Sequence, residues 1–260
     1  MGFIDTHTHI YLEHFDEDRE VMIQNAIEKG VETFLLPNID ATTIDRVKKL
    51  VVDYPEQCVP MMGLHPCSIR MNYKDELDQI EMELFQGNYC AVGEIGVDLY
   101  WEKKYFKEQI KAFQTQIKWA KELDLPIVIH CREAFDEIFE VLDHLNDDQL
   151  KGVFHCFTGT LKQAEKIIAY GNFLLGIGGV LTFKKAQLDQ VIAKIDPKYL
   201  VLETDAPYLA PAPYRGKRNE SSYLIHTAEH LAEVLDVSMK DLERITNSNA
   251  RQLFKLDHEI

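Results

Sequence analysis

The sequence Gly2-Phe-Ile-Asp-Thr-His-Thr-His9 joins a short apolar run to two histidines that are separated by one residue. The apolar run predicts a strand over residues 2–5. Residues two apart on an extended chain point to the same side, so His7 and His9 can hold one ion together. This stretch therefore predicts a strand with a polar site at its carboxyl end.

The same alternation of short apolar runs and longer helical patterns continues along the whole chain. A helix is clearest over residues 106–123, where Ile110, Phe113 and Ile117 share one face. Alternating strands and helices indicate a parallel sheet, and eight units are the number that a closed barrel needs. The candidate strands are residues 2–5, 33–36, 58–63, 90–94, 126–130, 152–155, 173–176 and 200–203.

We therefore predict an α/β fold, a (β/α)₈ TIM barrel with parallel strands and outer helices, in a single domain over residues 1–260. A loop is predicted over residues 206–216, because its three prolines forbid a continuous helix or a central strand. Two helices should follow from Glu220, with Ser238 as the N-cap of the second.

Composition limits the classes of function. The formal charge of −15 disfavours a protein that coats nucleic acid, although metal ions can reverse the field within a single cleft. The five cysteines include no CxxC pair, which is typical of reduced thiols in a cytosolic protein. No apolar run is long enough to span a membrane, and the first residues lack the pattern of a signal peptide. We expect a cytoplasmic protein without a membrane partner or an obligate protein partner.

Histidines and carboxylates lie at the carboxyl ends of the predicted strands, where barrel enzymes assemble their active sites. An apolar core gains nothing from such groups, because buried ionisable side chains are costly unless they are paired or bound to a metal. The convergence of these side chains predicts a metal site. The candidate ligands are His7, His9, Glu94, His130, His155 and Asp205.

Six ligands exceed the three or four that one catalytic zinc ion uses, so the set favours two divalent ions. Glu94 is the best bridging ligand, because its two oxygens can each hold one ion. A set of imidazole and carboxylate ligands favours zinc, manganese or iron over calcium or magnesium. The ligand types do not decide which metal is bound, and magnesium stays among the candidates. Two ions would activate a water molecule for hydrolysis, and Asp205 could accept its proton. Glu94 and Asp205 are therefore the predicted catalytic residues.

Motifs along the chain resemble the TatD family of metal-dependent deoxyribonucleases, within the wider amidohydrolase-like barrels. The matching stretches include Asp5-Thr-His-Thr-His9, Gly63-Leu-His-Pro66, Gly93-Glu-Ile-Gly-Val-Asp98, Ile129-His-Cys-Arg132, His155-Cys-Phe-Thr-Gly159, Leu202-Glu-Thr-Asp-Ala-Pro-Tyr208 and Arg215-Gly-Lys-Arg-Asn219. The resemblance implies a phosphodiesterase that acts on DNA as a 3′ to 5′ exonuclease. It implies the same six metal ligands, with His65, Arg132 and Arg218 on the substrate phosphate and Glu203 behind the ligands.

The sequence also suggests where single-stranded DNA or a 3′ end would bind. Three basic residues fall within Arg215-Gly-Lys-Arg218, beside the eighth strand, in an otherwise acidic chain. Tyr208 and Tyr214 come before this basic stretch in the sequence, and their rings could stack on an unpaired terminal base.

Other readings of the sequence stay open. Hydrolases of amides, lactones or purines use this scaffold, but many carry a carboxylated lysine where this chain has Glu94. An esterase acting on aminoacyl-tRNA and a non-catalytic binding module are further alternatives. His226-Thr-Ala-Glu-His230 matches the pattern of inverted zinc peptidases, and Cys131 and Cys156 follow proposed ligands directly. We interpret the two histidines of this motif as packing or surface residues, and the two cysteines as small buried thiols.

Overall fold

Eight parallel strands alternate with helices in the computed structural model, which describes residues 2–256. Met1 and residues 257–260 of the predicted domain lie outside the described residues. The strands are β1 (Phe3–Asp5), β2 (Val31–Leu36), β3 (Cys58–Pro60), β4 (Val92–Asp98), β5 (Ile127–Arg132), β6 (Gly152–Phe154), β7 (Phe173–Ile177) and β8 (Leu200–Leu202).

Each strand is followed by a helix, and one more helix ends the described chain. The helix predicted over residues 106–123 is confirmed as α4, and its buried face contains Phe113, Ile117 and Ala120. The helices are α1 (Arg19–Glu28), α2 (Ile44–Asp53), α3 (Tyr73–Gln86), α4 (Phe106–Glu122), α5 (Phe135–Leu145), α6 (Leu161–Ala169), α7 (Leu188–Ile192), α8 (Leu224–Leu235) and α9 (Met239–Phe254).

The strands form two parallel groups, β1-β2-β3 and β4-β5-β6-β7-β8, each in chain order. Met62 forms a parallel bridge with Val92 and joins the two groups between β3 and β4. At the other junction, the backbone N–H of Thr6 donates to the carbonyl oxygen of Leu202 over 3.0 Å, next to β8. These two junctions close the ring, and the predicted TIM-barrel architecture is confirmed.

The predicted C-terminal segment is also confirmed. The hydroxyl of Ser238 accepts a hydrogen bond from the backbone N–H of Asp241, which caps the first turn of α9. Further along this helix, the Asn247 side chain accepts from the Ile4 backbone N–H and donates to the Gly2 carbonyl oxygen. The last helix therefore fixes the position of β1. Within residues 2–256, no helix is both long and apolar enough to cross a membrane.

The predicted carboxyl end of the fourth strand is wrong, because the strand is longer than the sequence pattern indicated, and this affects the site. The sequence pattern ended this strand at Glu94, whereas β4 continues to Asp98 and Glu94 lies within it. The pairing register with β5 shifts between Val92 and Ile95, and Gly96 then pairs with His130. This extension depends on β5 as a partner, because glycine and aspartate disfavour strands on their own. As a result, Asp98 also reaches the site. The other predicted strands differ from the observed ones by one to three residues at an end.

Candidate metal centre

A cavity of about 580 Å³ opens where the carboxyl ends of the strands meet. Its walls come from seven of the eight strand ends, from the segment after β1 to the loop after β8. Parallel strands in a barrel bring their carboxyl ends to one rim, which explains why residues distant in sequence converge here. The polar and aromatic residues of these walls include His9, His65, Glu94, Asp98, Trp101, His130, Arg132, His155, Asp205 and Tyr208.

The Glu94 carboxylate lies at the centre of the cluster, and its two oxygens face different histidines. Oε2 lies 3.2 Å from His7 Nε2 and 3.5 Å from His9 Nε2. Oε1 lies 2.7 Å from His130 Nδ1 and 2.8 Å from His155 Nε2. Asp205 Oδ1 completes the first group, at 3.7 Å from His7 Nε2 and 3.6 Å from His9 Nε2. All six residues of the predicted ligand set therefore converge, and Glu94 connects two groups of them.

A hydrogen-bond chain behind His9 fixes which of its nitrogens can bind an ion. The Tyr11 hydroxyl donates its only proton to the Pro37 carbonyl oxygen over 2.6 Å. The same hydroxyl lies 2.8 Å from His9 Nδ1, so it must accept the proton that this nitrogen carries. A neutral His9 then has its free electron pair on Nε2, which is the nitrogen that faces Glu94 and Asp205.

His130 is oriented in the same way by Asp98. The Nε2 atom of His130 lies 2.9 Å from Asp98 Oδ2, whose carboxylate is fully buried. Nε2 therefore carries a proton, and Nδ1 is the nitrogen that faces Glu94. His155 Nδ1 lies 3.5 Å from Glu203 Oε1, with its Nε2 toward Glu94. Carboxylates that hold the far nitrogen of an imidazole are the usual support of metal-binding histidines.

This arrangement of donors fits divalent cations. In the neutral rings, the free electron pairs of His9 Nε2 and His130 Nδ1 face carboxylate oxygens that carry no proton when ionised. A positive charge, either a proton on the imidazole or a metal ion that replaces this proton, must therefore lie between each nitrogen and its carboxylate oxygen. Buried imidazole and carboxylate groups with fixed outer hydrogen bonds are what zinc and its neighbours prefer. The residues of the cluster therefore suit metal ions better than they suit an apolar interior.

The ionisation of the cluster follows the same logic. Burial raises the pKa of Glu94, but the surrounding imidazoles, with His155 the largest, outweigh burial and hold this pKa well below its ordinary value. Burial likewise raises the pKa of Asp205, which the hydrogen bond with His9 and nearby imidazoles bring below its ordinary value. Burial lowers the pKa of His9, but hydrogen bonds with Asp205 and Glu94 raise it to about 9. Two ionised carboxylates thus attract positive charge to this point.

His65 lies close to the cluster but differs from the six residues in its hydrogen bonds. Its Nε2 atom is 3.3 Å from Glu94 Oε1 and 3.2 Å from His130 Nδ1. The backbone N–H of Cys67 donates to His65 Nδ1 over 2.9 Å. Burial lowers the pKa of His65, so the ring is neutral at pH 7 and its single proton must be on Nε2. A protonated nitrogen donates a hydrogen bond and cannot bind a metal, so His65 is a donor aimed into the cavity.

The other predicted site residues occupy different positions. Arg132 and Tyr208 line the cavity, and Glu203 lies behind His155. Arg218 does not line the cavity: its guanidinium forms two hydrogen bonds with the Asp18 carboxylate, at 2.8 and 2.6 Å. The face of Tyr214 is stacked on Tyr223, with ring centroids 3.9 Å apart. The structure therefore brings Arg132 and Tyr208 to the cluster but directs Arg218 toward the segment after β1.

Sequence reasoning missed two residues of this site, Asp98 and Trp101. Asp98 is four residues beyond Glu94 on an extended chain, so both side chains lie on the same side, and this spacing could have revealed it. Trp101 follows β4 directly and is 68% exposed at the cavity wall. A large aromatic side chain just beyond a strand end, outside any helical pattern, was the available signal.

The alternative metal sites do not form in the described part of the chain. His226 Nδ1 lies 3.3 Å from Glu229, and His230 Nδ1 lies 3.6 Å from Glu233, each within α8, and neither histidine lines the cavity. Neither Cys131 nor Cys156 joins a group of converging ligand atoms among residues 2–256. Three groups of ligand atoms do converge there: His7, His9 and Glu94; His7, His155 and Glu203; and His65, Glu94 and His130. In the last of these groups, His65 is the hydrogen-bond donor described above.

Comparisons with known proteins identify the family of this chain. The family model described as TatD related DNase matches residues 4–255. YabD, a metal-dependent hydrolase of Bacillus subtilis, is 35% identical and aligns over 97% of this chain and 99% of its own length. A Salmonella typhimurium protein named 3′-5′ ssDNA/RNA exonuclease TatD is 32% identical, over 93% of this chain and 95% of its own. The crystal structure of YjjV, a TatD homologue from Escherichia coli, has a TM-score of 0.91 at 31% identity and covers 97% of this chain and 98% of that chain. The chain belongs to the TatD related DNase family, among metal-dependent hydrolases.

Proposed function

We propose that this protein is a divalent-metal-dependent deoxyribonuclease that removes nucleotides from the 3′ ends of single-stranded DNA. The observation that carries the proposal is the division of the Glu94 oxygens between two groups of histidines. The name of the relative from Salmonella typhimurium, an exonuclease of single-stranded DNA and RNA, supports the direction and the substrate.

Two ions fit this division of ligands. We assign one to His7, His9, Glu94 and Asp205, and the other to Glu94, His130 and His155. Zinc, manganese and magnesium are the candidates, with the imidazole content favouring the first two. Ions held there would supply a water of lowered pKa and would neutralise charge on the phosphate.

The protein's own residues would then handle the proton and the substrate. Asp205 is ionised at neutral pH, because its pKa lies below the ordinary value, and its Oδ1 faces His7 and His9. It can accept the proton of an attacking water. His65 Nε2–H can donate to a phosphate oxygen, and the planar guanidinium of Arg132 suits the same group.

One enzyme assay tests the proposal. The protein is incubated with manganese, zinc or magnesium and with end-labelled single-stranded DNA, double-stranded DNA or RNA of equal length. We expect a ladder shortened from the 3′ end, fastest on single-stranded DNA, which a chelator abolishes. In Glu94→Gln and Asp205→Asn, cleavage should fall by about 10³-fold or more while the circular dichroism stays native. Intact nucleic acids, with turnover of an aminoacyl ester or a small amide instead, would overturn the proposal in favour of the alternative hydrolases.

We also infer a cytoplasmic location and a single catalytic domain. The five cysteines are all free, which supports a reducing compartment. One buried core includes residues from every strand of the barrel, and the family match extends over residues 4–255, which support a single domain.

A further inference from the structure

An exposed pair of aromatic side chains lies at the mouth of the cavity, directly after β4. Trp101 is 68% exposed and Tyr100 is 49% exposed, and Trp101 lines the cavity. The two rings are nearly perpendicular, at 87°, with centroids 4.7 Å apart. An exposed indole beside a polar cavity contributes little to folding, because its apolar surface stays in contact with water. Such a side chain is available to a ligand.

The position of this pair is fixed relative to the candidate metal centre. Asp98 Oδ1 accepts hydrogen bonds from the backbone N–H groups of Tyr100, over 2.9 Å, and Trp101, over 2.6 Å. The other oxygen of the same buried carboxylate holds His130 Nε2. One side chain therefore connects the aromatic turn to a histidine of the cluster. The turn is pre-organised, so binding to it requires little further ordering.

Arg132 adds a cation to the same place. Its guanidinium lies 4.4 Å from the centroid of the Tyr100 ring and 5.5 Å from that of the Trp101 ring. Within residues 2–256 this guanidinium forms no hydrogen bond or ion pair, so its N–H donors are free to bind a phosphate. This place therefore offers a substrate two kinds of interaction: the aromatic side chains can stack on a flat ring, and the guanidinium can bind an anion.

We propose that Trp101 is a stacking platform for an unpaired nucleobase of the substrate, held next to the nucleotide phosphate that Arg132 binds. This inference rests on the proposed nuclease function and names how that function selects its substrate. Tyr208, 47% exposed, lines the same cavity from the loop after β8 and gives a second aromatic wall. A base reaches an aromatic platform only when it is unstacked and unpaired, so the platform favours single strands over duplexes.

Fluorescence tests the platform without relying on catalysis. The chain has two tryptophans, and Trp119 is buried in α4, so Trp119→Phe leaves Trp101 as the only indole. In the Trp119→Phe/Asp205→Asn protein, an eight-residue oligodeoxythymidylate should quench the fluorescence of Trp101. The same oligomer lacking the base at both of its 3′-terminal nucleotides should quench it much less. Equal quenching by the two oligomers would overturn the platform. If Trp119→Phe folds poorly, the difference in quenching between the Asp205→Asn protein and its Trp101→Phe form gives the same measurement.

Kinetics give the second readout. Removing an aromatic ring that stacks on a base typically costs about tenfold in binding. Trp101→Ala should raise KM for the oligomer about tenfold with kcat nearly unchanged, and Trp101→Phe should restore most of this loss. On the oligomer that lacks the two bases, wild type and Trp101→Ala should have the same KM. Phe85→Ala is the matched control, since Phe85 is an exposed aromatic residue of α3 that does not line the cavity.

The outcomes separate the platform from the nuclease. If the wild type shortens DNA and Trp101→Ala does so with unchanged KM on both oligomers, the platform is wrong and the nuclease stands. If the wild type cleaves no nucleic acid with any of the metals, the nuclease is wrong, and base-dependent quenching still supports the platform by itself.

Discussion

At the scale of single residues, the hydrogen bond on one imidazole nitrogen decides what the other nitrogen can do. Tyr11 directs His9 Nε2 toward the cluster, and Asp98 does the same for His130 Nδ1. Cys67 has the opposite effect on His65, because its N–H occupies Nδ1 and leaves the proton on the nitrogen that faces the cluster. Three histidines within a few ångströms of one glutamate are therefore expected to have two different chemical roles, with His9 and His130 as metal ligands and His65 as a hydrogen-bond donor.

His65→Ala tests this distinction. Because Nε2 carries a proton, we expect the variant to keep its full metal content while kcat/KM on single-stranded DNA falls by about 10- to 100-fold. Metal analysis after gel filtration and steady-state kinetics measure the two quantities. His226→Ala, which changes a histidine of α8 away from the cavity, should leave both unchanged. Loss of one equivalent of metal from His65→Ala would show instead that His65 is a ligand.

At the scale of elements, the extended end of β4 organises the site. Gly96 has φ of +143° and pairs with His130, and a side chain at this position would collide with the His130 carbonyl oxygen. The absence of a side chain lets β4 approach β5 closely enough to continue as far as Asp98. Asp98 then reaches His130 and the aromatic turn, so one strand places both a candidate metal ligand and a candidate substrate contact.

Asp98→Asn should therefore weaken metal binding without unfolding the barrel. Loss of a carboxylate that supports a metal-binding histidine typically costs about 10- to 100-fold in metal affinity. Burial lowers the pKa of His130, and the hydrogen bond with Asp98 is the largest of the effects that raise it. The pKa of His130 in the metal-free protein should therefore fall in the variant. Competition with a metal indicator and an NMR titration of His130 measure the two effects. Unchanged values of both would show that Asp98 only closes the turn.

At the scale of the whole molecule, the proposed nuclease would have to bind a polyanion although the net charge of the chain is −15. The loop after β8 contains three cations, but they are not equivalent. Arg215 and Lys217 are exposed, whereas Arg218 lies over the Phe15 ring and pairs with Asp18. Burial of part of the side chain and three hydrogen bonds, one to the His14 carbonyl oxygen and two to the Asp18 carboxylate, make Arg218 a connection between the loop and the segment after β1. We therefore expect the first two residues to act on DNA at long range.

Salt dependence of binding distinguishes these roles. In the Asp205→Asn protein, Arg215→Ala/Lys217→Ala should bind single-stranded DNA more weakly, with a slope of log K against log salt lower by about 0.7 for each phosphate that the protein no longer neutralises. Arg218→Ala should leave this slope close to that of the parent, because the guanidinium pairs with Asp18 and not with a phosphate. A reduced slope in Arg218→Ala alone would place its guanidinium on a phosphate. Unchanged affinity and slope in the double variant would make the loop ordinary solvated surface.

The sequence by itself determined the alternation of strands and helices, the barrel and the six residues that converge at its rim. These features depend on local periodicity and on the rule that carboxyl ends of parallel strands meet, both of which can be read along the chain. The N-cap of α9 and the span of α4 were predictable for the same reason, because they involve residues within a few positions of each other.

Only the tertiary structure decided the division of the Glu94 oxygens, the orientation of His65, the extension of β4 and the pairing of Arg218. Each depends on a partner distant in sequence, such as His130 for Glu94 and Asp18 for Arg218. A sequence pattern shows which side of a strand a residue faces, but not which atom of another strand comes within hydrogen-bond distance. That distance is set by the register between strands and by the closure of the barrel, which exist only once the whole chain has folded.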